Sequence, residues 1–324
     1  ANPRTCCSYD TKINKSIDKS QIPRQHTKDM DRKYFEKLIG QETAKKNLGF
    51  LIENYRDSSF MPHLLLVAPR GTGKTMLARG VAKYLVLEGE DSPKNGEEIN
   101  CADIKNVSAF KEFLFEYVID KDVTIHLDEA SELPRQAQML LLSILETNDS
   151  NKTEVFLDGD PYEFDFLRQT FIFSTTDAQK INRALQDRLK RIDLQNYDNL
   201  QMAKILELYL SNNDIYVSRE VSTLAATTLR GSARRAVEMS NFVKAFLNRK
   251  NEDEFLLERW NEYKTGLCIM PLGISHLELN ILRVLNRQKG TSLTQLAAVT
   301  GMSPESLRQD GETFLLKNFL MKIE

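Results

Sequence analysis

The sequence predicts an α/β fold: a parallel β-sheet domain built around a phosphate-binding loop, then a small helical lid domain, then a C-terminal winged-helix domain. Three observations predict it. A buried-strand pattern, a glycine-rich loop and a helix follow one another at 63–77. Strand-like apolar runs then alternate with helical spacing as far as residue 194, which is typical of parallel sheets. Beyond Asn199 the apolar spacing is helical.

The glycine-rich loop is the clearest chemical motif. Leu64–Val67 is a continuous apolar run, as a strand buried on both faces requires, and APRGTGKT follows. The glycines let backbone N–H groups turn towards phosphate oxygens, and the next helix adds its dipole. We expect Lys74 to reach the β- and γ-phosphates and Thr75 to bind Mg²⁺. The residues expected to hold the nucleotide in this loop are Gly71, Thr72, Gly73, Lys74, Thr75 and Met76.

A second motif places two carboxylates at the end of a strand. The run 123–127 is mostly apolar, and Asp128 and Glu129 follow it. We expect Asp128 to hold Mg²⁺ through water and Glu129 to polarise the attacking water. An Asp-Glu pair after a strand is weak evidence alone and strong evidence downstream of a phosphate loop. His126 lies inside the strand, where a packed side chain is favoured over a ligand.

Composition excludes several classes of protein. With 44 basic and 46 acidic residues in 324, nothing global indicates a nucleic-acid or acidic-membrane partner, so any DNA contact must come from a local patch. No apolar run approaches the ~20 residues of a membrane helix. The four cysteines and four histidines show no metal-binding spacing, which argues against a transition-metal site and favours a reducing cytoplasm.

Polar stretches predict the surface segments. Residues 1–30 are Lys-rich without apolar periodicity, which predicts a flexible arm. A solvated tail is favoured over nucleic-acid contact there, because aspartates dilute the charge. Residues 88–98 are expected to form a surface loop, and Ile99–Ala102 a short strand. An Asp-Gly pair between the strand-like runs 154–157 and 162–166 predicts a hairpin.

The last strands of the sheet bring polar groups towards the loop. Gln169–Phe173 reads as a buried strand that ends in Ser174-Thr175-Thr176-Asp177. A polar side chain there can orient the attacking water or the γ-phosphate, although a helix N-cap would use the same residue types. Ile192–Leu194 is the expected final strand.

The C-terminal third reads as two helical units. Helices over 200–210, 219–229 and 233–248 form the lid, and helices over 278–287, 292–299 and 304–316 follow. Gly301-Met302-Ser303 is typical of a helix-turn-helix corner, and 319–323 is expected to start a wing strand. This unit has six basic and five acidic residues, so DNA binding is favoured by shape more than by charge. A protein-docking role stays open.

With these motifs placed, the chain resembles the AAA+ family of ring-forming ATPases and, more narrowly, the Holliday-junction branch-migration motors of that family. The matching segments are, in chain order, Leu38–Gln41, Ala68–Thr75, Leu127–Glu129, Phe173–Thr176, Leu185–Arg188 and Arg230–Arg234. The resemblance implies that the backbone at Ile39 and Gly40 cradles adenine and that Tyr197 lines the base pocket.

The resemblance also assigns three catalytic roles. It implies that Thr176 is the sensor at a strand end and that Arg234 is the lid sensor. Arg188 is implied to be the arginine finger, which enters the site of the neighbouring subunit. The implied catalytic set is Lys74, Glu129, Thr176, Arg188 and Arg234.

The implied domains are an N-terminal arm (1–30), an AAA+ ATPase domain (31–197), a lid (198–265) and a winged helix (266–324). The implied protein is a homo-oligomeric ring, a hexamer, that uses ATP and Mg²⁺ to act on duplex or branched DNA. A protein adaptor is expected at the 153–167 hairpin, and no membrane partner. The alternative is a loader or switch, of clamp-loader or helicase-loader type, that assembles a protein complex through the winged helix.

Overall fold

The computed structural model describes residues 35, 38–87, 89–146, 151–288 and 290–323, and of 309 and 310 only the backbone. The strands are, in chain order, Leu64–Val67 (β1), Asn95–Asn100 (β2), Val123–Asp128 (β3), Lys152–Leu157 (β4), Asp160–Asp165 (β5), Gln169–Thr175 (β6), Lys190–Asp193 (β7), Tyr216–Val217 (β8) and Glu254–Phe255 (β9). A parallel sheet has the order β2-β3-β6-β1-β7, and β4 pairs with β5 as the expected antiparallel hairpin. The N-terminal arm predicted for 1–30 lies outside the described residues.

The register of the parallel sheet brings three strand ends together. Val67 of β1 lies opposite Thr175 of β6, and Leu127 of β3 lies opposite Phe173 of β6. The loop after β1, the carboxylates after β3 and the polar end of β6 therefore meet at one edge of the sheet. This is the edge where open α/β sheets bind their ligands.

Two apolar layers cover the two faces of this sheet. Every residue of the central strand β6 is buried, and successive side chains point to opposite faces. Phe173 packs in the layer that contains Phe110 and Leu141, whereas Ile172 packs in the layer that contains Leu48. Continuous apolar runs are therefore needed in the central strands.

Strand β2 corrects the interpretation of the polar stretch before residue 99. Residues 95–100 form a strand that pairs with β3, while 101–103 form a 3₁₀ turn. The loop predicted for 88–98 is therefore wrong at 95–98, and the strand predicted for 99–102 is confirmed at 99–100 and wrong at 101–102. β2 is an edge strand, and most of its residues are exposed or half-buried. An edge strand is held by backbone hydrogen bonds to a single neighbour, so it does not need the apolar run that predicts a buried strand.

The helices surround the sheet and then continue without it. They are, in chain order, Glu42–Ser58 (α1), Lys74–Ala82 (α2), Val107–Tyr117 (α3), Arg135–Ile144 (α4), Arg183–Gln186 (α5), Asn199–Ser211 (α6), Arg219–Ala226 (α7), Ala233–Asn248 (α8), Leu257–Gly266 (α9), His276–Gln288 (α10), Leu293–Thr300 (α11), Pro304–Ser306 (α12) and Thr313–Lys317 (α13). Helices α6 to α9 share an apolar core with Phe255, Trp260 and Tyr263. In the described ranges no single helix is long and apolar enough to cross a membrane; only the bent pair Leu257–Gly273 and His276–Gln288, at 54°, meets that test jointly.

The C-terminal unit has the predicted helix-turn-helix corner. Gly301 has φ +72°, and the Ser303 hydroxyl accepts a hydrogen bond of 3.1 Å from the Ser306 N–H. A π-helix at 307–312 joins α12 to α13. The wing strand predicted at 319–323 is wrong, since 321–323 have no regular structure and Phe319 is 94% exposed. A strand needs a neighbour, and the described part of this unit contains none.

Candidate active site

The phosphate loop adopts a conformation that its glycines make possible. Gly71 has φ +76° and Gly73 has φ +99°, both in the region that favours glycine. Lys74 begins α2 and is buried, and its Nζ donates to the carbonyl oxygens of Ala68 (2.9 Å) and Pro69 (3.2 Å). The lysine is therefore held across the mouth of the loop by neutral acceptors, which an anionic phosphate can replace.

The carboxylates lie where β3 ends. Asp128 Oδ1 accepts hydrogen bonds from the Glu129 N–H (3.0 Å) and from the Ser174 hydroxyl. Glu129 has φ +49°, a backbone conformation that is uncommon for a non-glycine residue and concentrates at functional sites. The Asp128 carboxylate is therefore held by Ser174 of β6, and the neighbouring Glu129 lines the cleft together with the phosphate loop.

At the polar end of β6, Ser174 is the residue whose hydroxyl contacts the Asp128 carboxylate. Ser174 is buried and bridges Asp128 to His126, whose Nε2 lies 2.9 Å from the Ser174 hydroxyl. Thr175 Oγ1 accepts instead from the Asp177 N–H at 3.0 Å, and Thr176 is half-buried just beyond the strand. The sequence pattern did not single out Ser174, because only the β3–β6 register shows which hydroxyl meets Asp128.

His126 is buried, as predicted for a packed core side chain, but it also has polar neighbours on both sides of its ring. Its Nδ1 faces the Glu98 carboxylate at 3.6 Å, and Arg79 Nε donates to that carboxylate at 2.8 Å. Burial lowers the pKa of His126, although the charges of Asp128 and Glu98 oppose this effect. His126 thus lies between Glu98 of β2 and Asp128, and it is hydrogen-bonded only on the Ser174 side within the described residues.

The lid closes the other side of the loop. The Ala233 N–H donates to the Gly71 carbonyl at 2.8 Å, and the Tyr197 hydroxyl donates to the Thr72 carbonyl at 2.9 Å. A methyl group added at Gly40 would lie 3.2 Å from the Tyr197 ring. The loop, Gly40 and the lid junction are therefore contiguous.

A cleft of about 180 Å³ lies between the loop, the carboxylates and the lid. Residues predicted for the site that line it are Gly71, Gly73, Lys74, Thr75, Met76, Asp128, Glu129 and Arg234. Arg70, Tyr209 and Val237 line it too and were not predicted as site residues. Burial lowers the pKa of Lys74, with Arg234 and Arg70 adding to the effect and the two carboxylates opposing it.

The comparisons with known proteins agree with this geometry. Residues 64–197 match the family model described as "ATPase family associated with various cellular activities (AAA)". The chain carries an AAA ATPase domain. The protein is accordingly an ATPase that binds a nucleotide, and the cleft between phosphate loop and lid is its candidate active site.

Similarity extends well beyond the AAA ATPase domain. The chain is 24% identical to the Holliday junction branch migration complex subunit RuvB of Campylobacter fetus, over 88% of this chain and 81% of the relative. The corresponding protein of Sulfurimonas denitrificans is 25% identical over 86% and 82%. The solved Thermotoga maritima RuvB motor superposes with a TM-score of 0.70 at 21% identity, over 89% of this chain and 91% of that one, which supports the fold.

Six predicted site residues do not line this cleft, namely Ile39, Gly40, Thr72, Thr176, Arg188 and Tyr197. Arg188 is the one of these that was expected to act in a neighbouring subunit. It follows α5, and its Nη1 atom is buried without a hydrogen-bond partner in the part of the chain that the structure describes. A buried guanidinium nitrogen normally has an acceptor. Arg188 therefore lies outside the cleft of its own chain, and its guanidinium is incompletely hydrogen-bonded there.

The donor set of the AAA ATPase domain suits a nucleotide with Mg²⁺. The described residues contain no group of three or more His, Cys, Asp or Glu side chains placed to hold a metal. Mg²⁺ in phosphate sites needs only one or two protein oxygens besides the phosphates and water. The Thr75 hydroxyl and Asp128 offer those oxygens beside the loop, so the residues present fit the ion.

Proposed function

We propose that this protein is an ATP-driven ring motor that acts on DNA, of the Holliday-junction branch-migration type. The observation that carries the proposal is similarity to RuvB subunits over more than four fifths of both chains, lid and C-terminal unit included. The loader alternative gains no support from these relatives, which are named as parts of a branch migration complex. A cytoplasmic location and the domain divisions at 30, 197 and 265 belong to the same proposal.

In the proposed reaction, each residue of the cleft has one task. The loop amides of 71–76 and Lys74 bind the triphosphate, while Thr75 and Asp128 hold Mg²⁺, which supplies charge neutralisation when bound. Glu129 accepts a proton from the attacking water. Ile39, Gly40 and Tyr197 form the adenine side of the site.

Two hydroxyl-bearing residues at or just beyond the end of β6 have separate proposed roles. Ser174 orients Asp128 through their hydrogen bond. Thr176 lies beyond the strand end, where we propose that it senses the γ-phosphate. The two roles are separable because Ser174 faces the carboxylate and Thr176 does not belong to the strand.

A shared site explains the position of Arg188. We infer a homo-oligomeric ring, a hexamer, in which Arg188 enters the neighbouring subunit's cleft and neutralises transition-state charge. The residue is half-buried and its guanidinium is incompletely paired within its own chain, which supports a role outside that chain. Arg234 lies in the cleft of its own chain and couples the lid to the nucleotide.

The C-terminal unit is the proposed DNA contact. Its helix-turn-helix corner presents α12 and α13 as one element, and its acidic Glu278 is fully buried against Arg230 of the lid. Glu278 therefore does not add to the negative field at the surface, which leaves the unit more basic there than its composition indicates.

The β4–β5 hairpin is the proposed site of the protein adaptor. Phe156 is 68% exposed near the tip of the hairpin, whereas Phe164 on β5 is buried and anchors it to the sheet layer. A large exposed aromatic side chain on an anchored hairpin is suited to protein contact.

The proposal is tested by ATPase assays with a four-way DNA junction, linear duplex and no DNA, for wild type and Glu129→Gln. We expect the junction to stimulate wild-type turnover and Glu129→Gln to bind ATP with little turnover. Branch migration of a labelled junction should require both ATP and Glu129. Turnover that no DNA form changes would contradict the DNA-motor assignment, and stimulation by a protein partner alone would favour a loader.

A further inference from the structure

Arg230 joins the lid to the C-terminal unit at three points. It lies in the turn between α7 and α8. Its Nη1 donates to Glu278 Oε1 at 2.9 Å, and its Nη2 donates to Glu278 Oε2 and to the Gly273 carbonyl at 2.5 Å. The guanidinium carbon lies 3.6 Å from the ring centre of Phe314 in α13. One lid side chain thus contacts both ends of the C-terminal helical unit.

The ion pair is buried, and its two residues come from the two units. Glu278 is fully buried and the Arg230 side chain is 14% exposed. Burial by itself would raise the pKa of Glu278, but hydrogen bonds from Arg230 and Ser275 outweigh it and lower the pKa. Glu278 also completes a capping arrangement with Ser275 at the start of α10, at 2.7 and 3.2 Å. Moving the units apart would break the hydrogen bonds of the Arg230 guanidinium to the Glu278 carboxylate and to the Gly273 carbonyl, and bonds between charged groups are stronger than neutral ones.

A second contact reinforces the joint independently of charge. Gly273, with φ +65°, lies so close to the turn after α7 that an added methyl group would be 2.2 Å from the Thr228 carbonyl oxygen. The backbone of the C-terminal unit is therefore packed directly on the backbone of the lid. Two separate contacts of this kind restrict rotation as well as separation.

The same turn touches the phosphate loop through weaker contacts. The Ala233 N–H donates to the Gly71 carbonyl, and a methyl group at Gly71 would lie 2.1 Å from the Ser232 hydroxyl. These are one neutral hydrogen bond and a close approach, in contrast to the buried ion pair on the other side of the turn. The lid contacts at Gly71 therefore lie where phosphates would bind, whereas the ion pair lies on the other side of the turn.

We propose that Arg230 is a positioning residue that makes the lid and the C-terminal unit one body, so that nucleotide binding at the phosphate loop swings the C-terminal unit relative to the sheet domain. Arg230 has φ +54°, a conformation that is unfavourable for arginine and is maintained by its surroundings. Only the purpose of the swing, which is to move DNA, rests on the proposed function.

Distances between spin labels test the proposal in the full chain. With Cys6, Cys7 and Cys268 replaced by serine, labels are placed on exposed positions of the sheet domain (Glu112), lid (Ala245) and C-terminal unit (Thr294). Between the nucleotide-free and Mg·ATPγS states, we expect the 112–294 distance to shift and the 245–294 distance to stay constant. A nucleotide-dependent 245–294 distance, or a constant 112–294 distance, would overturn the proposal.

Variants test whether the Arg230–Glu278 ion pair is what keeps the 245–294 distance constant. Arg230→Met should broaden the 245–294 distribution and abolish the 112–294 shift, with the KM for ATP and basal turnover within about twofold of wild type. Arg249→Met, at the exposed end of α8, is the matched control. Arg230→Met/Glu278→Leu should narrow the distribution again, because an apolar pair can replace a buried ion pair. Wild-type distances in Arg230→Met would overturn the assignment.

The spin-label distances of the protein with native Arg230 test the rigid-body proposal even if a variant fails to fold. The distance experiment contains no DNA. An absence of DNA-stimulated turnover would therefore contradict the motor assignment and leave the distance result unaffected.

Discussion

Replacing Ser174 by alanine removes the hydroxyl that joins the Asp128 carboxylate to His126. Asp128 Oδ1 then keeps only the Glu129 N–H as a donor, and His126 Nε2 loses its partner. His126 Nδ1 already has no hydrogen bond within the described residues. The substitution therefore frees the proposed Mg²⁺-binding carboxylate to rotate and leaves a buried imidazole unpaired.

The magnitude follows from the kind of bond lost. A hydrogen bond to a charged group contributes about 1.5–3 kcal/mol. Since 1.4 kcal/mol corresponds to about tenfold in an equilibrium or rate, the expected loss in Mg²⁺ affinity or turnover is about 10- to 100-fold. The unpaired imidazole should lower the free energy of unfolding by about 1–3 kcal/mol as well.

The assay is steady-state ATP hydrolysis over a range of Mg²⁺ concentrations, with urea unfolding in parallel. We expect Ser174→Ala to need more Mg²⁺ for half-maximal rate, whereas Ser143→Ala, on the exposed side of α4, should behave as wild type. Thr176→Val should lower turnover without changing the Mg²⁺ requirement. If Ser174→Ala matches Ser143→Ala in both measurements, the hydroxyl does not position Asp128 and the reasoning fails.

Arg188→Ala should keep ATP binding and lose at least about 10³-fold in turnover, because the residue acts in the neighbour's site; a wild-type rate would contradict the shared site. Gly71→Ala should abolish ATP binding measured by calorimetry, and Gly71→Ala/Ser232→Gly should regain part of it, since the added methyl group would meet the Ser232 hydroxyl. Burial, with a contribution from Lys94, lowers the pKa of His63 to about 3. The unfolded chain then binds more protons between pH 3 and 6.5, so stability falls as pH drops through that window, by about 2 kcal/mol at pH 5. Urea unfolding of wild type at pH 5 and 7.5 should show this loss, and His63→Gln should lack it.

The phosphate loop and the carboxylates after β3 were predictable because the residues that indicate them are consecutive in the chain. A buried strand, two glycines and a lysine that opens a helix are consecutive in the chain, and the structure has them as β1, a loop with positive φ at Gly71 and Gly73, and α2. The two carboxylates likewise follow an apolar run that is β3. Periodicity also predicted the lid helices, and the Gly301-Met302-Ser303 turn residues predicted the corner at 301–303.

Predictions failed where the answer depends on a neighbouring strand. The first four residues of β2 were predicted as a loop because an edge strand can be polar. The wing strand was wrongly expected because its apolar residues have no described partner to pair with. Ser174 and Thr175 end β6 and Thr176 follows directly, and composition cannot choose among these three hydroxyl residues. The register against β3 puts Ser174 beside Asp128 and turns Thr175 to the opposite face.

The sequence by itself therefore determined that the chain binds a nucleotide on a parallel sheet and continues into two helical units, because backbone conformation and burial periodicity are properties of adjacent residues. Tertiary structure alone decided that Ser174 holds Asp128 and that Arg230 is paired with Glu278, 48 residues further along the chain. Those pairings are set by strand register and by the packing of the lid on the C-terminal unit, which bring together residues that no spacing in the chain relates.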